Sequence, residues 1–367
     1  MNRLQRLYAE QGQSPWLDNV TRSYVRDGVL ATMVGDGIRG ITANPTILAK
    51  AIESSDDYDP QFRSLMGRGS SVPDAYWDVV VTDISGALAV LRPVFDESGG
   101  ADGFVSVEVA PELAHDTEGT VAAARTLHER IDQPNLLVKI PATAEGIPAI
   151  EAMTAAGYSI NVTLVFSLAR YAEVIEAYQS GLETLLRNGG DPSAVHSVAS
   201  FFLSRVDTEV DGRLRERGAR AWALHGRAAV AQAKLAYQLF VERFAGRRWE
   251  ALAAAGANRQ RPLWASTSMK DATRRDTLYV EELIGPDTVT TLPEATIAAF
   301  EDHGILGRTV DTYVEEAAEV MRRLAGVGID MDEVSSVLEN RAIEDFERSF
   351  RGAQATLVGR ALLQASA

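Results

Sequence analysis

Short apolar runs rich in β-branched residues alternate along this chain with amphipathic stretches, a pattern that predicts strands separated by helices. Eight runs stand out as strand candidates, at residues 16–21, 38–43, 104–110, 136–142, 158–166, 196–203, 263–268 and 288–292. Between them, residues 74–95, 117–131, 169–187 and 221–244 carry helical patterns, with apolar positions three and four residues apart and charges on the opposite face. Residues 46–75 and 206–261 are longer than a minimal connection, so extra helices are expected there. Helical pattern resumes at Tyr313 and continues to the end. Such alternation builds a parallel sheet covered by helices. Eight repeats make a closed (β/α)8 TIM barrel of the α/β class the first expectation, and an open doubly wound sheet the second. No Ser/Gly-rich linker divides the chain. Residues 1–367 therefore read as one domain, with residues 300–367 as a C-terminal helical extension.

Composition narrows the function. The 367 residues hold 36 Lys+Arg against 51 Asp+Glu, a formal net charge of −15 that argues against a general nucleic-acid binder. Only Lys50, Lys139, Lys234 and Lys270 are lysines, and every other cation of that count is arginine. The absence of cysteine removes disulfides, thiolate nucleophiles and Cys-ligated metals. The N-terminal MNRLQRLYAEQGQ has no signal-peptide run, and no stretch nears the roughly 18 apolar residues of a membrane span. A cytoplasmic protein without membrane attachment is expected.

Motifs for common cofactors and metals are missing or misplaced. Gly35-Asp-Gly37-Ile-Arg-Gly40 matches GxGxxG, but a helical stretch precedes it and a strand follows, the reverse of a dinucleotide fold. It reads as a helix-terminating loop. His115, His128, His196, His225 and His303 are scattered, so no metal and no cofactor is expected.

Lys139 is the informative residue. It interrupts Leu136-Leu-Val-Lys-Ile-Pro-Ala142, which otherwise reads as a buried strand. Burying an ammonium disfavours its charge, and an amine normally titrating near about 10.4 needs that effect to attack a carbonyl at neutral pH. A snorkelling or ion-paired lysine is the plainer alternative. Guanidinium could not form the imine, which gives weight to a lysine in a chain that otherwise uses arginine. Other polar residues sit inside or just beyond different strand candidates: Asp18, Asn44, Glu108, Thr163, Ser200, Arg205 and Lys270. In a barrel the C-terminal strand ends converge on one mouth, where such residues would meet.

These segments resemble the transaldolase family, specifically its longer bacterial form. The resemblance rests on Trp16-Leu-Asp-Asn-Val-Thr-Arg22, Gly40-Ile-Thr-Ala-Asn-Pro-Thr-Ile47, Val105-Ser-Val-Glu-Val109 and Val138-Lys-Ile-Pro-Ala-Thr143. It continues through Asn161-Val-Thr-Leu-Val-Phe-Ser167, Ala199-Ser-Phe-Phe-Leu-Ser-Arg205 and Leu263-Trp-Ala-Ser-Thr267, all in family order. It implies transfer of a dihydroxyacetone unit from sedoheptulose 7-phosphate to glyceraldehyde 3-phosphate, giving erythrose 4-phosphate and fructose 6-phosphate, in the non-oxidative pentose phosphate pathway. By the same resemblance Lys139 forms the Schiff base, Asp18 takes the C4 hydroxyl proton, and Glu108 with Thr163 works a catalytic water. Asn44 and Ser200 would hold the dihydroxyacetone portion. Arg205 would bind phosphate, with Lys270, or Arg274 or Arg275, as a second contact. Phe202 replaces the tyrosine that related fructose 6-phosphate aldolases use in acid–base work, which opposes a lyase that releases dihydroxyacetone. A non-catalytic sugar-phosphate-binding barrel is the third reading, and the retained lysine and acids oppose it. Partners are thus phosphorylated ketoses and aldoses, and an exposed C-terminal helix would allow a homo-oligomer.

Overall fold

The computed structural model describes residues 1–365. Eight strands pair in chain order: β1 (Gln13–Leu17), β2 (Gly40–Thr42), β3 (Phe104–Glu108), β4 (Leu136–Pro141), β5 (Ile160–Val165), β6 (Ser197–Phe202), β7 (Arg261–Ala265) and β8 (Thr288–Leu292). Every pairing is parallel and β8 returns to β1, closing the (β/α)8 barrel. Side chains fill the interior and helices cover the outside, so each strand is buried except at Arg261. Burial on both faces is why the strands read as nearly continuous apolar runs.

Polar residues displaced two predicted strands. β1 starts at Gln13, ahead of the expected 16–21, because the Gln13 amide NH2 and the Ser14 hydroxyl find partners inside the barrel, although Gln13 Oε1 finds none among the described residues. Gln13 Nε2 donates to the Leu283 carbonyl (2.6 Å) and Thr288 Oγ1 (2.9 Å), and Ser14 Oγ donates to Asp102 (2.5 Å). β7 ends at Ala265, short of the expected 268, because Ser266 turns into the left-handed region at φ +57°. The helix expected over 221–244 is split into Ala219–Trp222 and Ala228–Arg243 around Gly226, whose φ is +61°.

The GxGxxG residues serve packing. The helix Val29–Gly35 ends there, and Gly40 opens β2 against Trp16, where a Cβ would lie 2.5 Å from the indole. Extra helices fill both long connections, including Pro45–Ser54, Asp59–Gly67, Leu203–Glu216 and Gly246–Ala254.

Beyond the barrel come the helices Glu294–His303, Val314–Gly326 and Met331–Ala365. In the last, Val334, Leu338, Ala342, Phe346, Phe350, Ala353 and Leu357 are buried at intervals of three or four, a helical stripe. That stripe packs on Pro45–Ser54 and reaches the turn Pro111–Leu113 and the helix Leu203–Glu216. These segments follow β2, β3 and β6, so the long helix crosses the C-terminal end of the barrel. Arg360 fastens it, donating to the carbonyls of Ile52 (2.9 Å), Glu53 (2.7 Å) and Ser55 (2.7 Å) at the end of Pro45–Ser54. Among the described residues, no helix is long and apolar enough to cross a membrane.

Candidate active site

Parallel register brings the chemistry together. Glu108, the last residue of β3, lies opposite Lys139 on β4, and Lys139 lies opposite Asn161 on β5. Lys139 Nζ is 3.0 Å from Glu108 Oε2, with both side chains 4% exposed. The ammonium also donates to the Ala43 carbonyl (3.3 Å), whereas Glu108 Oε2 is not aligned as a hydrogen bond with any donor among the described residues. Thr163, opposite Pro141, is buried and its Oγ1 has no hydrogen-bond partner among the described residues. Its strand is irregular at that point. Leu164 takes φ +59° and the β5–β6 register slips between Val162 and Val165, a bulge of the kind that re-aims a side chain.

Other residues arrive just past strand ends. The Asp18 N–H continues the ladder to the Leu292 carbonyl (2.9 Å), and its carboxylate accepts from Thr42 Oγ1 (2.7 Å). Thr42 and Thr291 hydroxyls are 2.6 Å apart. Asn44 caps Pro45–Ser54, its Oδ1 accepting the Ile47 N–H (3.0 Å), so the side-chain NH2 remains available to a ligand. Ser200 Oγ donates to Asn161 Oδ1 (2.8 Å), and Asn161 Nδ2 donates to Ser106 Oγ (3.0 Å).

Asp18, Asn44, Lys139, Ser200, Phe202 and Arg205 line one cavity at the barrel mouth, completed by Thr42, Leu263, Ala265, Ser266 and Thr291. Arg205 stands in the first turn of Leu203–Glu216, its guanidinium 5.5 Å from the Phe202 ring centre and 5.7 Å from that of Phe346. Among the described residues it has neither an ion pair nor a hydrogen bond, so its donors are open to an anion. Lys270 lies outside this wall, exposed, donating to Ser268 Oγ (3.2 Å). Arg274 is engaged elsewhere, with the Gly226 carbonyl (2.9 Å), and Arg275 pairs with Glu281 (2.7 Å).

Desolvation sets the electrostatics. Burial pushes the Asp18 carboxyl above its ordinary range, opposed by the Thr42 hydrogen bond and the Lys139 charge. Burial also pushes Glu108 up, again against Lys139. Both acids therefore hold protons more readily than surface carboxylates, which suits proton exchange beside an amine. Burial lowers Arg205, while Asp345, Glu108 and Asp18 oppose that shift. Among the described residues, no cluster of three or more His, Cys, Asp or Glu could hold a metal ion.

Sequence reasoning did not single out Thr42, Asn161, Ser266 or Thr291. Asn161 carried a usable signal, since it sits two residues before Thr163 and so on the same strand face. Thr42 and Thr291 carried none, because threonine is ordinary in strands.

Comparison with known proteins points to one family. The family profile described as Transaldolase/Fructose-6-phosphate aldolase matches residues 15–357. The chain is 51% identical to the Transaldolase of Frankia alni over 342 residues, covering 92% of each. It is 50% identical to the Transaldolase of Acidothermus cellulolyticus, with 92% of each covered, and 49% identical to that of Thermobifida fusca, covering 93% of this chain and 94% of the relative.

Proposed function

The chain belongs to the transaldolase/fructose-6-phosphate aldolase family, and on that premise we propose that it runs the transaldolase reaction through a Schiff base on Lys139. It is a transferase, moving a dihydroxyacetone unit from sedoheptulose 7-phosphate to glyceraldehyde 3-phosphate within the pentose phosphate pathway. The observation that carries the residue assignment is a buried amine in a barrel mouth, 3.0 Å from a buried carboxylate whose affinity for protons is raised.

Lys139 Nζ adds to the C2 carbonyl of the donor ketose, forming a carbinolamine. Loss of water needs a proton delivered to the departing hydroxyl, and Glu108 supplies it through a water held with Thr163, whose hydroxyl has no hydrogen-bond partner among the described residues. The protonated imine then withdraws electrons from C3. The C3–C4 bond breaks as the C4 hydroxyl gives its proton to Asp18, and erythrose 4-phosphate leaves. Desolvation makes Asp18 a stronger base than a surface aspartate. The three-carbon enamine stays bound by Asn44 and Ser200 until glyceraldehyde 3-phosphate accepts it at its carbonyl carbon, whose oxygen takes the proton back from Asp18. Hydrolysis of the new imine releases fructose 6-phosphate and restores the amine. Arg205 binds the phosphate of each sugar, its planar fork matching the anion. Lys270, at the exposed rim, adds attraction rather than contact.

Phe202 lines the cavity without a hydroxyl to donate, so retention of the enamine for transfer is favoured over its release as free dihydroxyacetone. The enzyme works in the cytoplasm in this reading. The apolar stripe of the C-terminal helix is covered by the barrel, so a homo-oligomer through this helix would use its exposed face and the exposed Leu362 and Leu363.

Borohydride reduction in the presence of fructose 6-phosphate tests the assignment. Mass spectrometry of the digested protein should find the reduced dihydroxyacetone adduct on Lys139 alone. No adduct, or one on Lys50, Lys234 or Lys270, overturns the mechanism. With erythrose 4-phosphate as acceptor, appreciable free dihydroxyacetone would overturn transfer in favour of release.

A further inference from the structure

The geometry points to Phe346, on the helix Met331–Ala365, as a positioning residue for phosphate recognition: its ring and that of Phe202 hold the Arg205 guanidinium between them. This inference rests on the reading of Arg205 as the phosphate contact.

Arginines that act structurally are normally fixed by carboxylates or carbonyls. Arg22 donates to Asp83 (2.8 Å), and Arg39 to Asp102 (2.9 Å). Arg205 has no such anchor among the described residues, although it is half-buried. Its charged carbon instead lies 5.5 Å from the Phe202 ring centre and 5.7 Å from the Phe346 ring centre, within the range of cation–π attraction. Ring faces hold a guanidinium in place without using its N–H donors. A phosphate would then meet a fork already placed, with all five donors available.

The two rings come from distant parts of the chain. Phe202 ends β6, whereas Phe346 sits 2% exposed on a helix that crosses the barrel mouth. Phe346 is held in turn. Phe350, one turn further on, packs edge-on to Tyr76 with ring centres 5.0 Å apart, and the Ser349 hydroxyl is 3.0 Å from that of Thr46. Thr46 lies two residues past Asn44. One helix therefore sets the arginine side of the cavity while packing on the element that carries Asn44.

Phe346→Leu tests this, because leucine keeps most of the apolar bulk and loses the ring face; Phe346→Met replaces it if the leucine variant does not fold. The KM values for fructose 6-phosphate and erythrose 4-phosphate should rise about 5-fold, with kcat within about 2-fold. The inhibition constant of inorganic phosphate should rise in parallel. With unphosphorylated glyceraldehyde as acceptor, the acceptor's kcat/KM should stay at the parent level. Phe346→Tyr, which keeps the ring, should restore the parent KM. Arg205→Ala serves as the reference and should remove most of the preference for phosphorylated acceptors. If Arg205→Ala leaves that preference intact, the phosphate reading of Arg205 fails and the inference with it. If Arg205→Ala removes the preference while Phe346→Leu preserves it, the inference alone fails. Equal losses with phosphorylated and unphosphorylated acceptors in Phe346→Leu also overturn it, since they mark a merely structural residue.

Discussion

At the N-terminal end of the barrel, Asp102 is 1% exposed and surrounded by donors. Its Oδ2 accepts from Ser14 Oγ (2.5 Å) and Arg39 Nε (2.9 Å), its Oδ1 accepts from Trp16 Nε1 (3.1 Å), and Arg261 lies 3.7 Å away. At the C-terminal end, Glu108 is also buried, with the Lys139 amine 3.0 Å from its Oε2, and Thr163 Oγ1 has no hydrogen-bond partner among the described residues. One carboxylate is fixed by donors on both oxygens; the other has an amine beside it with which to exchange a proton. Buried polar groups are normally satisfied because an unmet one costs about 1–3 kcal/mol. Among the described residues, Gln13 Oε1, Asn135 Oδ1 and Gln260 Oε1 are unmet at the N-terminal end as well. The contrast therefore lies in the two carboxylates: Asp102 is ringed by donors, whereas Glu108 stands beside an amine at the end where a barrel places its chemistry.

Removing a charge from each end should break the symmetry most sharply. Lys139→Met should lower transaldolase activity by about 10⁴-fold or more. Its folding stability should stay within about 1 kcal/mol of the parent or exceed it, because Glu108 can take up a proton once its partner is gone. Asp102→Asn should do the reverse, costing about 3 kcal/mol of stability through the unmatched Arg39 and Arg261 charges while kcat of the folded enzyme is unchanged. Urea denaturation and steady-state kinetics on both variants measure all four quantities. A Lys139 variant as destabilised as the Asp102 one would mean that the mouth pair is structural too.

The two ends also respond to pH with opposite signs. Burial raises the Asp18 and Glu108 carboxyls. Their contribution to stability is present at low pH and lost as pH rises through their folded values. At the other end, burial holds His128 and His196 down to about 4, against an ordinary 6.5. That contribution is present above pH 6.5 and is lost as pH falls toward 4. Activity follows the mouth. Asp18 must be ionised to accept the C4 proton, so kcat should fall on the acid side along a limb lying above the about 3.9 of an ordinary aspartate. Asp18→Asn should abolish that limb along with most of the rate. A kcat–pH profile with its acid limb at or below about 3.9 would remove Asp18 as the proton acceptor.

Much of the mouth was legible because its residues contradict their surroundings. Lys139 and Glu108 are charges inside apolar runs, and Asp18 and Asn44 punctuate strand ends, so strand pattern and topology alone suggest that they converge. The bottom was less legible. Gln13 and Ser14 fall outside the expected strand because their partners, Leu283, Thr288 and Asp102, are distant in sequence. No local pattern shows that a polar residue will be satisfied inside a core. Ser266 was hidden for another reason: its left-handed backbone ends β7 without glycine or proline to mark the break. Phe346 lay in a plain amphipathic stripe, and its meeting with Arg205 depends on where a 35-residue helix crosses the barrel.

Lys270 gives the smallest expected effect and sharpens where the mouth stops. In sequence it follows β7 and looks like a second phosphate contact, yet it is exposed and its only bonded neighbour among the described residues is Ser268. A charge so placed attracts an anionic sugar over distance, which a net charge of −15 otherwise discourages. Salt screens such attraction over about 8 Å at physiological ionic strength. Lys270→Ala should therefore raise KM for phosphorylated substrates by about 2- to 3-fold in low salt, with the difference vanishing near about 0.5 M salt and kcat unchanged. A direct phosphate contact would behave otherwise. Its loss would persist in high salt and approach that of Arg205→Ala, which would extend the mouth past Ser266 to include Lys270.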